Sequence, residues 1–194
     1  MTAARQWISA FLEAQAAELG SARNTLEAYA RDLRDFDEWL DASTLRADTV
    51  DQHDIEAYLV HCDAQGLARA TRARRLSAIR QFYRFAFEER LRKDNPAIRI
   101  KGPGRDRKLP KTLSESEVEN LIAAARTHGR TDEVRLRNAC LMELLYATGM
   151  RVSELVALPV SAARGDPRIL LISGKGDKER MVPLSQDARV ALVA

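Results

Sequence analysis

The sequence predicts a mainly α-helical protein in two parts. A four-helix domain covers residues 1–100, and a partial mixed α/β domain with one small β-hairpin covers 112–194. Three observations carry that prediction. Apolar residues recur at helical spacing through the first hundred positions. Residues 101–111, Lys-Gly-Pro-Gly-Arg-Asp-Arg-Lys-Leu-Pro-Lys, combine two prolines and two glycines with charge, so they neither continue a helix nor build a core and read as a linker. The segments Arg168–Ser173 and Lys178–Leu184 flank Gly174-Lys-Gly-Asp177 as two strands flank a turn.

Taken in order, the first helix spans about Ala3 to Glu18, with Trp7, Ile8, Phe11 and Leu12 as its apolar stripe. Asn24 with Glu27 three residues later predicts the cap of a second helix carrying Leu26, Tyr29, Leu33, Phe36 and Leu40. A third runs from Asp51 to Gln65 with Ile55, Tyr58, Leu59 and Cys62 inward, and Gly66 ends it. The fourth runs from Ala68 to Lys93, closed by Asn95-Pro96 because a residue before proline avoids the helical region. Past the linker, Ser114-Glu-Ser-Glu117 is a capping box opening the apolar run Val118, Leu121, Ile122 and Ala125. Asp132 to Ala147 forms a further helix, stopped at Gly149, and Arg151–Leu158 a short one, stopped by Pro159. After the hairpin, Ser185 to Val193 begins another helix. So few elements around a lone hairpin make a thin second core, which predicts a truncated domain or a piece of a longer protein.

Of the 194 residues, 45% are hydrophobic, 30% charged and 6% aromatic, which excludes collagen-like and low-complexity classes. Cys62 and Cys140 have no metal-ligand spacing and point to a reducing compartment rather than a disulfide scaffold. The N-terminus has no signal-peptide apolar core, and no run approaches the roughly 18 apolar residues of a membrane span. The expectation is a soluble, cytoplasmic protein without a membrane partner.

The net charge of +3 hides a strong asymmetry. Residues 1–65 hold 5 basic and 13 acidic side chains, residues 66–111 hold 15 and 4, and residues 112–194 hold 11 of each. A block that basic points to a polyanion, most simply double-stranded DNA. At about 100° per residue, Arg69, Arg80, Ala73, Arg84 and Ser77 fall on one face of the fourth helix, with Arg74 at its margin, opposite Leu76, Ile79, Phe82, Tyr83 and Ala86. Small residues let a helix approach a groove, and flanking guanidiniums pair with phosphates or reach guanine edges. Arg72 and Arg75 fall in the apolar arc and are expected beyond the core, at the helix's N-terminal end. The second helix offers Arg23, Asn24, Thr25, Arg31 and Arg34 as further polar candidates. The interleaved Asp32, Asp35, Asp37 and Glu38 read as solvated charge.

Most enzyme signatures are missing. His53, His61 and His128 are too scattered for a zinc site. Gly174-Lys-Gly176 is neither a phosphate-binding loop nor a dinucleotide fingerprint, and there is no nucleophile elbow. Arg151, after Thr148-Gly149-Met150, and Lys175, at the hairpin tip, are what remain.

Together these residues fall into a known pattern. Leu144-Leu-Tyr-Ala-Thr-Gly-Met-Arg-Val-Ser-Glu-Leu-Val-Ala-Leu158, followed by Gly174-Lys-Gly-Asp-Lys-Glu-Arg-Met-Val-Pro-Leu184, closely resembles the tyrosine recombinases, specifically the Xer group. Upstream, Asn24-Thr-Leu-Glu-Ala-Tyr-Ala-Arg-Asp-Leu33, Arg75-Leu-Ser-Ala-Ile-Arg-Gln-Phe-Tyr83, Asn95-Pro-Ala97 and Leu109-Pro-Lys-Thr-Leu-Ser114 match the family's DNA-binding domain and linker in order. Ala157-Leu-Pro with Asp166-Pro-Arg168 resembles the XerD branch more than the XerC branch.

The resemblance implies a SAM-like core-binding domain that clamps duplex DNA together with a catalytic domain. Asn24, Thr25, Arg69, Arg72, Arg74, Ser77, Arg80 and Arg84, with Arg105, Arg107 and Lys108 of the linker, are the expected DNA contacts. Arg151 matches the arginine that binds the scissile phosphate, where a fixed planar charge suits a pentacoordinate phosphorus. Lys175 matches the hairpin lysine that protonates the 5′-hydroxyl leaving group. Glu154 is expected to orient Arg151 or its surroundings. The nucleophile is a tyrosine forming a 3′-phosphotyrosyl intermediate, with no metal or ATP and no other cofactor. The implied partners are a second Xer recombinase and a DNA translocase, in a tetramer on DNA that resolves chromosome dimers. The family's His/Lys-x-x-Arg pair, its further His or Trp and its tyrosine belong after Leu184, and nothing there supplies them. Tyr29, Tyr58, Tyr83 and Tyr146 all fit helical packing positions, so the chain as given is expected to bind DNA without cutting it. A non-catalytic DNA-binding accessory or inhibitory factor, and a phage or transposon integrase, stay open as alternatives.

Overall fold

A computed structural model describes residues 3–104, 112–165, 167–174, 176 and 178–194. The chain divides into two units, Met1–Lys108 and Leu109–Ala194, each with its own apolar core.

The first unit is built from α1 (Ala3–Ala17), α2 (Arg23–Ala42), α3 (Gln52–Ala64) and α4 (Arg69–Glu88). Its centre is aromatic. Phe11 meets Phe82 edge-on at 6.1 Å and Tyr29 at 5.6 Å, and Phe36 meets Tyr58 at 5.0 Å. Phe11, Leu33, Ile55, Tyr58, Ile79 and Tyr83 are completely buried, and each such side chain contributes on the order of 2–3 kcal/mol of transfer free energy. Trp7, Ile8 and Leu12, expected inward with Phe11, are only partly covered.

Two helix ends differ from expectation. α2 starts at Arg23 with Ala22 in the cap position and no side-chain cap. Arg23 Nε donates to Glu27 at 2.8 Å, so the Asn24–Glu27 capping box does not form. α4 stops at Glu88, seven residues before Asn95. Arg90 takes a left-handed φ of 59°, and the Arg92 amide turns back to the Ala86 carbonyl at 3.0 Å. The Arg92 guanidinium explains the early stop, because it donates to the Ala47 carbonyl at 2.8 Å and lies 5.5 Å above the Tyr83 ring. That tertiary anchor ends the helix before the proline acts. α3 behaves as its sequence dictates, with Asp51 and Asp54 forming a reciprocal capping box.

The second unit holds α5 (Glu115–Thr127), α6 (Asp132–Thr148), α7 (Val152–Val156), a 3₁₀ turn at Val160–Ala163, β1 (Ile169–Ser173), β2 (Glu179–Pro183) and α8 (Gln186–Val193). Ser114 and Glu117 cap α5 reciprocally, Thr131 caps α6, and Gly149 closes α6 in the left-handed conformation (φ 59°) that glycine adopts without strain. The strands pair antiparallel with Leu171 opposite Met181 and Ile172 opposite Arg180. Leu170 and Ile172 point into a core with Leu144, Met150, Leu155 and Ala188, whereas Ile169, Leu171 and Met181 lie on the exposed sheet face. The partly buried pair Arg126–Glu143, 2.9 Å, ties α5 to α6. Among the described residues no helix is long and apolar enough to cross a membrane.

Candidate functional site

The fourth helix presents the face its periodicity predicts. Arg69, Ala73, Ser77 and Arg84 are exposed, while Leu76, Ile79, Phe82, Tyr83 and Ala86 are buried. Asn24 is exposed and Thr25 half-buried at the start of α2. Several of the predicted contact arginines, however, are engaged within the protein. Arg72 reaches Asp63 on α3 at 2.8 Å and is mostly covered. Arg74 reaches Asp32 on α2 at 2.9 Å. Arg80, expected on the open face, is half-buried with its guanidinium on the Ile100 carbonyl. Arg84 is exposed and pairs with Glu88 one turn on, a solvent-exposed contact that contributes little. Arg105, Arg107 and Lys108 lie outside the described residues.

Two expectations about charge are therefore corrected. Arg72 and Arg75 do not lie beyond the core. They sit within α4, and Arg75 docks on Asp35 with Nη2 to Oδ1 at 2.9 Å, while its Nη1 reaches the same carboxylate, the Tyr58 hydroxyl at 3.1 Å and Cys62 Sγ at 3.3 Å. Nor are Asp32, Asp35 and Asp37 mere solvated charge, although Glu38 is exposed as expected. Asp32 and Asp37 are 2% and 3% exposed, with Asp37 receiving Arg5 at 3.1 Å. Burial raises the Asp32 pKa, opposed by the nearby guanidiniums of Arg74, Arg75 and Arg31. Arg72, Arg74 and Arg75 thus meet acids of the first third across packed helices, because side chains on the inner margins of α2, α3 and α4 lose water and need a counter-charge.

In the second unit the site is organised around one carboxylate. Arg151 immediately precedes α7, and Glu154 lies one turn into that helix. The Glu154 side chain is 5% exposed and accepts four hydrogen bonds. Two come from Arg151, backbone N to Oε2 at 2.8 Å and Nη1 to Oε1 at 2.8 Å. Two come from Arg180 on β2, Nη1 to Oε1 at 3.1 Å and Nη2 to Oε2 at 2.7 Å. Arg180 first, then the Arg151 amide, hold the Glu154 carboxyl well below the usual carboxylate range, at about 2. The Arg151 side chain is 69% exposed, and its Nε and Nη2 have no acceptor among the described residues. The result is an anchored cation facing solvent with two donors in a fixed plane, a geometry suited to a tetrahedral oxyanion.

Lys175, the other predicted catalytic cation, lies outside the described residues, and so does Asp166. Three tyrosines occupy the packing positions expected of them. Tyr58 and Tyr83 are wholly buried, their hydroxyls on Asp35 and the Ala47 carbonyl, and Tyr29 is half-buried. Tyr146 does not, being 61% exposed on α6. Sequence reasoning missed Arg180. Its signal was strand alternation, since Arg180 and Val182 share the inward face while Met181 faces out, and an inward arginine requires a buried acid.

Comparison with known proteins places these features in context. A model described as "Phage integrase, N-terminal SAM-like domain" matches residues 8–90, and one described as "Phage integrase family" matches residues 111–194. The chain is 46% identical over 194 residues to tyrosine recombinase XerD of Caulobacter vibrioides, covering all of this chain and 63% of that protein. It is 47% identical over 192 residues to tyrosine recombinase XerD of Rhizobium meliloti, covering 97% of this chain and 62% of that protein. The chain thus spans less than two thirds of the length of these relatives. Among solved structures, XerH site-specific recombinase bound to palindromic difH substrate aligns with TM-score 0.70 and 24% identity over 98% of this chain and 56% of that one. A lambda integrase dimer bound to a COC' core site aligns with TM-score 0.72 and 19% identity over 92% of this chain and 48% of that one. These two likenesses establish the fold.

Proposed function

Since the chain belongs to the phage integrase family of tyrosine recombinases, we propose that it forms the DNA-gripping and phosphate-binding part of a Xer-type site-specific recombinase. The observation that carries this reading is the exposed Arg151 guanidinium, fixed from behind by a buried carboxylate and open in front.

In this reading α4, through Arg69, Ala73, Ser77 and Arg84, and the start of α2, through Asn24 and Thr25, lie along duplex DNA with the linker cations Arg105, Arg107 and Lys108. Arg151 binds the non-bridging oxygens of the scissile phosphate. A tyrosine hydroxylate supplied from outside residues 1–194 attacks phosphorus, the P–O5′ bond breaks, and a 3′-phosphotyrosyl bond forms. Lys175 gives its proton to the departing 5′-oxygen, so the leaving group departs as a neutral hydroxyl. Phosphorus gains one bond and loses one, which conserves the phosphodiester energy for religation. Arg151 contributes most where charge builds on the equatorial oxygens, so its effect falls on the cleavage step rather than on binding. The assembly is a tetramer on a recombination site with a second recombinase and a DNA translocase, resolving chromosome dimers in the cytoplasm.

A nicked suicide duplex tests this. The complete protein carrying this sequence traps a covalent protein–DNA adduct, and Arg151→Ala abolishes the adduct while most DNA affinity remains. Normal cleavage by Arg151→Ala removes the assignment, and no adduct from the unaltered protein favours a binding factor without chemistry.

A further inference from the structure

We propose that Arg180 is a positioning residue for Arg151, acting through the Glu154 carboxylate that the two arginines share. The inference rests on the reading of Arg151 as the phosphate ligand, and goes beyond it by assigning a role to a strand residue on the inner face of the hairpin.

A carboxylate has about four lone-pair sites. Here all four are filled, and each oxygen takes one donor from Arg151 and one from Arg180. The two Arg151 contacts come from within the same helical turn, three residues away, and move with it. Among the described residues only Arg180 reaches the carboxylate from another element, 26 residues away, and its two-pronged grip defines the plane of the group. Without it, Glu154 keeps partners but loses its external reference, and the Arg151 guanidinium turns with it.

Packing around the pair points the same way. A Cβ at Gly174 would stand 3.2 Å from Glu154 Oε1, 3.3 Å from the Lys178 carbonyl and 3.5 Å from Arg180 Nη1. The hairpin backbone therefore packs closely against the ion pair, and a methyl group there would require its neighbours to give by a few tenths of an ångström. Two guanidiniums on one carboxylate also leave a net positive charge, so the Arg151 charge is oriented without being cancelled. Lysine cannot replace this geometry, because one ammonium cannot donate to both oxygens in a fixed plane.

The test uses the complete protein and a nicked duplex, comparing single-turnover adduct formation with DNA affinity. Arg180→Gln slows adduct formation by about 10- to 100-fold, the range for a misplaced catalytic group, with duplex affinity within about 3-fold of the parent. Arg180→Lys recovers part of that loss. In a Glu154→Gln background, Arg180→Gln slows the step by less than about 2-fold more, since both changes remove one interaction. If Arg180→Gln fails to fold, Arg180→Lys decides: slower cleavage by a folded, DNA-binding variant supports the role, and parental cleavage overturns it. Parental cleavage by folded Arg180→Gln also overturns it. So does an undiminished Arg180 effect in the Glu154→Gln background, which would put Arg180 on the phosphate itself. An unaltered protein that forms no adduct defeats the recombinase reading first, and this proposal with it. A parent that cleaves beside an indifferent Arg180 variant defeats this proposal alone.

Discussion

Arg75 on α4 and Asp35 on α2 meet as a partly buried two-pronged ion pair, and the Tyr58 hydroxyl of α3 donates to the same carboxylate at 2.6 Å. Three helices are joined at one anion. Removing that anion leaves a guanidinium with little access to water, so Asp35→Ala lowers the stability of the first unit by about 3 kcal/mol. Urea unfolding followed by Trp39 fluorescence reads this, because the indole lies 5.4 Å from the Tyr58 ring. A loss within the range of exposed pairs, below about 1 kcal/mol, would contradict the burial argument.

Asp32 acts in the opposite direction. Its pKa is raised in the folded state by burial, so the folded protein holds this proton more tightly than the unfolded chain. Its contribution therefore favours folding at low pH and is progressively lost as pH rises from the unfolded value of about 3.9. The stability of Asp32→Asn relative to the parent therefore rises between pH 4 and neutrality, as read by urea midpoints. A gap that stays constant over that range would show that Asp32 does not titrate abnormally.

Glu154 has a depressed pKa, about 2 against an ordinary 4.5. The stability it supplies is complete above the unfolded value and lost as pH falls toward 2. Hydrogen exchange at the Leu155 amide reports local opening, and the parent becomes less protected across that acid window. Glu154→Gln starts less protected and shows a flatter acid dependence. Equal slopes for the two proteins would place the titration elsewhere.

Salt dependence separates arginines that face outward from those held internally. In duplex binding by the complete protein, Arg69→Gln and Arg84→Gln each reduce the slope of log affinity against log salt by about 0.9, the value of one phosphate contact. Arg72→Gln and Arg80→Gln leave it unchanged, because Asp63 and the Ile100 carbonyl already hold those guanidiniums. A reduced slope for Arg72→Gln would mean that DNA displaces Asp63.

Elements were legible wherever the controlling interaction is local. The boxes at Asp51 and Ser114 form between residues three apart, and Gly149 stops its helix through its own backbone freedom. The hairpin, the buried face of α4 and the order of elements follow from periodicity, which any half-buried element must display. Arg151 was legible through the resemblance of Leu144–Leu158 to a known family, and the expectation that Glu154 orients it or its surroundings rested on the same resemblance.

What the chain alone determined was the set of elements, the two-part division of apolar pattern and the charge each segment carries. The fate of those charges was decided by tertiary packing. Asp35 and Arg75 stand 40 residues apart, Glu154 and Arg180 26 apart, and no periodicity links either pair. The same holds for Arg92, whose reach to Ala47 ends α4 ahead of its proline. A charge is solvated or buried according to which helix or strand covers it, and burial makes a counter-charge obligatory. That requirement drew Arg72, Arg74 and Arg75 into ion pairs between helices, while Arg69 and Arg84 stay exposed and the Arg151 guanidinium rests on Glu154.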